Sequence, residues 1–306
     1  MSKMRASYYL RSATMLLVAR CHSSSHPTTF VHPACDKRAS IIRNMMALTT
    51  SSSPKRIFCY GDSLTAGTSP PLDQLFPYGP HLEQELNNLC KQPPVSTSSS
   101  SSSSLSSFEP ESAVVRWRGL PGWTASAMAE YMDDSTIGLR SALDSIRNPS
   151  LSLVIILAGT NDIGSVTSSS SMYTTECVRL VVDPILRLHN TCLGHVGDSG
   201  KKDVHTLIIG IPGSAWQQMN SQAARLCSDV NGALKQFAST YSSEEGERKR
   251  RRVQYIDFPF SYQRDDNKWC GDGLHLSPEG YKTLGTSLAP CVKEMLDEMR
   301  LMGVEE

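Results

Sequence analysis

Gly61-Asp62-Ser63-Leu64-Thr65 follows the apolar run Ile57-Phe58-Cys59-Tyr60, and Asp272-Gly273-Leu274-His275 lies near the other end of the chain. Together they supply a serine, a histidine and a carboxylate, the minimum set for attacking an acyl carbon. A serine hydroxyl is a weak nucleophile at neutral pH and needs a base to take its proton. That base must be held in one tautomer by an acceptor on its far nitrogen. Asp272 and His275 are three residues apart with a glycine between them, so they can make this second contact locally. The residues predict a serine hydrolase whose rate falls as the base is protonated on the acidic side.

Such groups work only if a scaffold brings them together. Five short runs rich in apolar and β-branched residues punctuate the chain: Arg56–Tyr60, Ala113–Trp117, Leu151–Leu157, His205–Ile211 and Val253–Phe258. Separated by helical patterns, they predict buried parallel strands in a βαβ arrangement, an α/β domain. Leu82, Leu86, Leu89 and Cys90 mark a helix between the first two. Ala125–Met132, Leu139–Ile146, Glu176–Leu188 (kinked at Pro184) and Gln217–Phe237 are further helix candidates. Ser277, Pro278 and Glu279 form a helix start, and Pro290 is expected to bend or divide the last helix.

In an open parallel sheet, ligands bind beyond the carboxyl ends of the strands. After the first predicted strand comes Gly61–Gly67; after the second, Gly119-Leu120-Pro121-Gly122-Trp123-Thr124; after the third, Gly159-Thr160-Asn161-Asp162; and after the fifth, the Asp272–His275 segment. Four segments thus deliver small or polar residues to one edge of one sheet. In order, these motifs resemble those of the SGNH or GDSL hydrolases, an esterase family, from about Arg56 to Leu296.

The resemblance implies a three-layer α/β/α sandwich with a five-stranded parallel sheet in flavodoxin-like order. It implies Ser63 as nucleophile, His275 as base and Asp272 as its orienter, with Gly122 and Asn161 as oxyanion donors beside the Ser63 N–H. Physical chemistry agrees with those roles. Fixed donors at the developing oxyanion are worth about 3–4 kcal/mol each. Gly122 lets its N–H approach closely, and Asn161 offers a side-chain N–H without charge. Ser63 at a strand-to-helix junction would gain from the helix dipole. Each residue also has a plainer role: Ser63 as a helix cap, Asn161 and Asp162 as turn formers, His275 as a surface histidine. Gly119 competes with Gly122, and Asp265 and Asp266 with Asp272, but only Asp272 has the spacing to His275. Trp269 and Cys270 are expected to line the site. Gly197-Asp198-Ser199-Gly200 imitates a trypsin-like serine motif, yet the all-β pattern is missing; the G-x-S-x-G elbow is absent too.

The expected reaction is ester hydrolysis through an acyl-enzyme, with no metal or organic cofactor. Small-molecule esters with small or acyl-chain groups are the expected substrates, because the loop Pro70–Tyr78 is apolar. Lysophospholipids and thioesters are the alternative, and a non-catalytic binding protein of the same fold is the contrasting reading.

Composition bounds the rest. The 30 basic and 30 acidic residues cancel, but residues 1–56 hold nine Lys/Arg against Asp36 alone. The other 250 hold 21 basic and 29 acidic residues, and a net of −8 argues against nucleic acid as partner. Nine single cysteines without C-x-x-C or zinc spacing point to a reducing compartment. The longest apolar stretch near the start, Ala13–Ala19, is too short to span a membrane. Residues 1–54 read as a separate targeting or disordered segment: a mitochondrial or plastid transit peptide, a signal peptide, or an extension before a start at Met45 or Met46 of a cytoplasmic protein. Residues 55–302 read as the hydrolase domain, interrupted by a disordered serine-rich insertion at 96–107. Ser168–Ser171 reads as a second insertion and Glu244–Arg252 as a solvated basic loop.

Overall fold

Strands buried on both faces need apolar residues at every position, and the third run meets this condition: Leu151–Leu157 is buried throughout except Ser152. In the computed structural model, which describes residues 54–91, 112–145, 151–169, 173–196, 204–241 and 252–303, it is the central strand of a five-stranded, all-parallel sheet. The strands are β1 (Lys55–Gly61), β2 (Ala113–Gly119), β3 (Leu151–Leu157), β4 (His205–Ile209) and β5 (Val253–Ile256), in the order β2-β1-β3-β4-β5. This is the flavodoxin-like order, and the chain reverses direction across the sheet between β1 and β3.

The described helices are α1 (Ser63–Ala66), α2 (Gly79–Lys91), α3 (Ala125–Glu130), α4 (Leu139–Ser145), α5 (Thr160–Ser169), α6 (Thr175–Gly194), α7 (Ala215–Met219), α8 (Ser221–Thr240) and α9 (Pro278–Gly303). Alternation along β1 sends Phe58 and Tyr60 into one core and Ile57 and Cys59 into the other. The first core is closed by α3, α4, α6 and α8, through residues such as Met128, Leu143, Ile185 and Leu226. The second is closed by α2 and α9, through Leu82, Leu86, Leu284, Leu288 and Val292. The three-layer sandwich expected from the sequence is therefore present.

Several local expectations are corrected. Gln217–Phe237 is not one helix: Asn220 is extended and caps α8, its side chain accepting from the Gln222 and Ala223 N–H groups. Pro290 does not divide α9, and α6 runs on from Leu188 to Gly194. Ser168 and Ser169 belong to the end of α5 rather than to an insertion, and Ser169 returns its hydroxyl to the Ser165 carbonyl. Arg252 is not part of a solvated loop, because its guanidinium donates to the Leu193 and Val204 carbonyls. The targeting segment, the 96–107 insertion, the 197–200 motif and the rest of the 244–252 loop lie outside the described residues. No described helix is long and apolar enough to cross a membrane.

One buried residue makes the fold acid-sensitive. His189 on α6 is wholly buried, and neither ring nitrogen has a partner among the described residues. Burial pushes its pKa down to about 3. The unfolded chain therefore binds a proton below about pH 6.5 that the folded chain refuses, and stability falls as pH drops. At pH 5 this amounts to a loss of about 2 kcal/mol relative to neutral pH. Urea unfolding at both pH values should show the loss in the wild type, and His189→Leu should largely abolish it.

Candidate active site

The corner after β1 is built by crowding. A side chain at Gly61 would meet the Leu157 carbonyl oxygen at 2.0 Å, so the ends of β1 and β3 are pressed together. Gly61 pairs with Gly119 on one side and with Leu157 on the other. The chain therefore leaves three adjacent strands at one level: Ser63 two residues past Gly61, Gly122 three past Gly119, Asn161 four past Leu157. Asp62 then caps α1, its Oδ1 accepting from the Leu64 N–H at 2.9 Å. Ser63 is the first residue of that helix, not its cap. With only four residues, α1 supplies little of the dipole expected from the sequence.

The segment after β5 folds on its own hydrogen bonds. Cys270 N–H donates to the His275 carbonyl at 2.8 Å, and Gly273 N–H to the Cys270 carbonyl at 3.0 Å. Asp272 Oδ1 accepts the Leu274 and His275 N–H groups, both at 3.0 Å, leaving Oδ2 for His275 Nδ1 at 2.6 Å. His275 Nε2 lies 2.9 Å from Ser63 Oγ, 212 positions away in the chain. With a carboxylate as its acceptor, Nδ1 carries the proton and Nε2 keeps the lone pair facing the serine. Burial raises the Asp272 carboxyl, but the bonds from the imidazole and the two backbone N–H groups outweigh it and hold it below the ordinary carboxylate range. It stays ionised wherever the histidine has to be oriented. Such a chain can draw a proton from a hydroxyl and stabilise the imidazolium that forms.

Asn161 is tied to the turn that carries Gly122. Leu120-Pro121-Gly122-Trp123 is a tight turn closed by the Trp123 N–H on the Leu120 carbonyl at 3.1 Å, with Gly122 at φ +79°. Proline second and a positive-φ residue third is the type II pattern, which requires glycine there. A side chain on Gly122 would meet nothing within 4 Å, so conformation and not crowding demands the glycine. Gly119 differs, because a side chain there would strike the Ala66 backbone at 2.0 Å; its role is packing. Asn161 Nδ2 donates to the Trp123 carbonyl at 2.9 Å, which leaves its second N–H unused by that bond.

Two acidic residues of these motifs had no catalytic role in the sequence reading. Asp162 is buried and accepts from the Ala125 N–H at 2.7 Å and the Ser126 N–H at 3.3 Å, tying α5 to the start of α3 just beyond the Gly122 turn. Thr124 caps the same helix through its side chain, so the Asp162 acceptor is a second, distant one. Asp62, the cap of α1, is likewise buried.

The rivals fall away. Asp266 is bound to Lys268 Nζ at 2.8 Å. Cys270 Sγ contacts Ser69 Oγ at 3.3 Å and the Leu276 carbonyl at 3.2 Å, and burial pushes its thiol up, so it is not a thiolate. Trp269 is buried against Phe258, Phe260 and Tyr262. Among the described residues, no cluster of three or more His, Cys, Asp or Glu suited to a metal ion occurs. A recess of about 850 Å³ lined by Arg140, Asp144, Arg187 and His195 lies where α4 and α6 approach the amino ends of the strands, away from Ser63.

The loop that follows the serine helix carries two exposed leucines. The loop after α1 turns back through Thr68, whose N–H donates to the Ser63 carbonyl and which bridges to Leu75. Leu72 and Leu75 on that loop are 50% and 60% exposed. The Ala215 N–H of α7 donates to the Gly273 carbonyl, and α7 also carries the exposed Trp216 and Met219.

Residues 57–288 match the family GDSL-like Lipase/Acylhydrolase. Among solved structures, a carbohydrate acetylesterase from Sinorhizobium meliloti is similar at 20% identity and a TM-score of 0.51, over 79% of this chain and 99% of that one. The aryl esterase of M. smegmatis is similar at 21% identity and a TM-score of 0.50, over the same shares of the two chains. At these identities the likeness is one of fold. No curated protein sequence matches. With about three-quarters of the chain inside the matched span, the chain belongs to the GDSL-like lipase/acylhydrolase family and is a carboxylic ester hydrolase.

Proposed function

We propose that Ser63, His275 and Asp272 form the catalytic triad of this hydrolase and that it cleaves esters with small or medium apolar acyl groups. The observation that carries this reading is the unbroken path from Ser63 Oγ through both nitrogens of His275 to Asp272 Oδ2, with contacts of 2.9 and 2.6 Å. Ser63 Oγ attacks the acyl carbon as its proton passes to His275 Nε2. The former carbonyl oxygen takes the negative charge, and the N–H groups of Ser63 and Gly122 and the free N–H of Asn161 Nδ2 bind it. Collapse expels the alcohol, protonated by His275, and leaves an acyl-serine. Water, deprotonated by the same imidazole, then releases the acid and restores the hydroxyl.

The apolar preference rests on Leu72 and Leu75, exposed on the loop that Thr68 ties to the nucleophile. The test is a p-nitrophenyl ester series from acetate to octanoate. Butyrate should exceed acetate in kcat/KM by up to about fifteenfold, since each of its two extra methylenes contributes about 0.8 kcal/mol when fully buried. A preference for acetylated sugars would overturn the apolar reading, and folded protein inert toward the whole series would overturn ester cleavage at this centre.

A further inference from the structure

The corner that holds Ser63 contains a carboxyl group that the mechanism above does not use. Asp62 is wholly buried; Oδ1 accepts from Leu64, but Oδ2 has no hydrogen-bond partner. Across the β1–β3 pair, the Thr160 hydroxyl is also buried and also lacks a partner. The two groups lie within electrostatic reach, Thr160 being among those that act on the Asp62 carboxyl. Two buried orphans side by side each cost about 1–3 kcal/mol unless they satisfy one another. Their positions give the contact a purpose: Asp62 precedes the nucleophile, and Thr160 precedes Asn161.

We propose that Asp62 is a positioning residue acting through Thr160: Oδ2 and the Thr160 hydroxyl share one hydrogen bond, donated by the acid when Asp62 is neutral and by the hydroxyl when it is ionised, which locks α1, with Ser63, to α5, with Asn161. The inference rests on the triad and oxyanion reading above. It explains why a carboxyl occupies a site with one N–H donor, where an isolated carboxylate would be poorly solvated. The groups facing Asp62 are Asp162 on α5, His275 before α9, and the hydroxyls of Tyr78 and Tyr281, both held neutral by burial. Burial first, then the Asp162 charge, push the Asp62 carboxyl up to about 7, against the opposing pulls of the Leu64 N–H, His275 and Thr160. The acid form is therefore present at and below neutrality, and above it the Thr160 hydroxyl donates to the carboxylate instead. Asparagine reproduces the acid form, with an oxygen for Leu64 and an N–H for Thr160.

The experiment measures kcat and KM separately for p-nitrophenyl butyrate from about pH 6 to 9. Thr160→Val, which keeps the shape and loses the hydroxyl, should lower kcat about tenfold with KM unchanged. Thr160→Ser should restore most of that loss. Asp62→Asn, whose amide supplies both an oxygen for Leu64 and an N–H for Thr160, should retain most of the rate across this range. Wild-type kcat in Thr160→Val, or an Asp62→Asn as slow as Thr160→Val, would overturn the proposal. Ser63→Ala run alongside separates the two levels: if it is inactive while Thr160→Val is normal, only the coupling fails; if it is active, the nucleophile assignment fails.

Discussion

Ser63→Ala is expected to reduce kcat for p-nitrophenyl butyrate by on the order of 10⁴-fold or more while leaving the protein folded. The size follows from the proposed chemistry: without Oγ no acyl-enzyme forms, and the remaining oxyanion donors can assist only direct attack by water. Folding is spared because the hydroxyl serves nothing else. The Ser63 hydroxyl contacts His275 Nε2, and the Asp62 cap bonds to Leu64 rather than to Ser63. Alanine also suits the first turn of α1. Steady-state turnover and thermal unfolding, measured on the same preparation, check both halves. A folded variant that retains turnover would remove Ser63 from the mechanism.

Asp272→Asn should lower kcat by about 10³–10⁴-fold with little change in KM. The asparagine oxygen can still accept the Leu274 and His275 N–H groups that bind Oδ1 now, so the loop keeps its shape. Its amide, however, places a donor where Oδ2 faces Nδ1. The imidazole then turns its lone pair toward the asparagine and its proton toward Ser63, and it can no longer act as a base. A smaller effect on stability has a defined sign. The Asp272 carboxyl is lowered on folding, so it stabilises the protein above the unfolded carboxylate range and loses that contribution as pH falls through it. The variant lacks this contribution at neutral pH. Steady-state kinetics with a circular dichroism melt would separate the two effects, and an unchanged kcat would show that Asp272 does not orient the base.

What the sequence revealed depended on how local each determinant was. Leu151–Leu157 has the predicted bounds because burial on both faces leaves a continuous apolar run. β4 and β5 stop earlier than predicted, at Ile209 and Ile256, since apolarity continues after the ladder ends: Phe258 turns into the ring cluster around Trp269. The pairing of Asp272 with His275 was legible because three residues and a glycine suffice to form it. The meeting of Ser63 with His275 is not local, and only the rule that parallel strands share a carboxyl edge made it foreseeable.

Other features depend on competition that propensities do not weigh. Asn220 exchanges helical continuity for a cap. Thr160–Ser169 is helical despite its glycine, serines and threonines, helped by the burial of Ile163 and by hydroxyl bonds back to the previous turn. The Asp162 acceptor for α3 was invisible because its partners lie 36 and 37 residues away.

The most direct measurement is to label the native protein with a fluorophosphonate and map the adduct by peptide mass spectrometry. A serine whose proton is drawn by a neighbouring imidazole attacks phosphorus as it attacks an acyl carbon. The account predicts one adduct, on Ser63, with labelling and esterase activity lost in parallel. Full inactivation with the phosphonate on any other residue would contradict it.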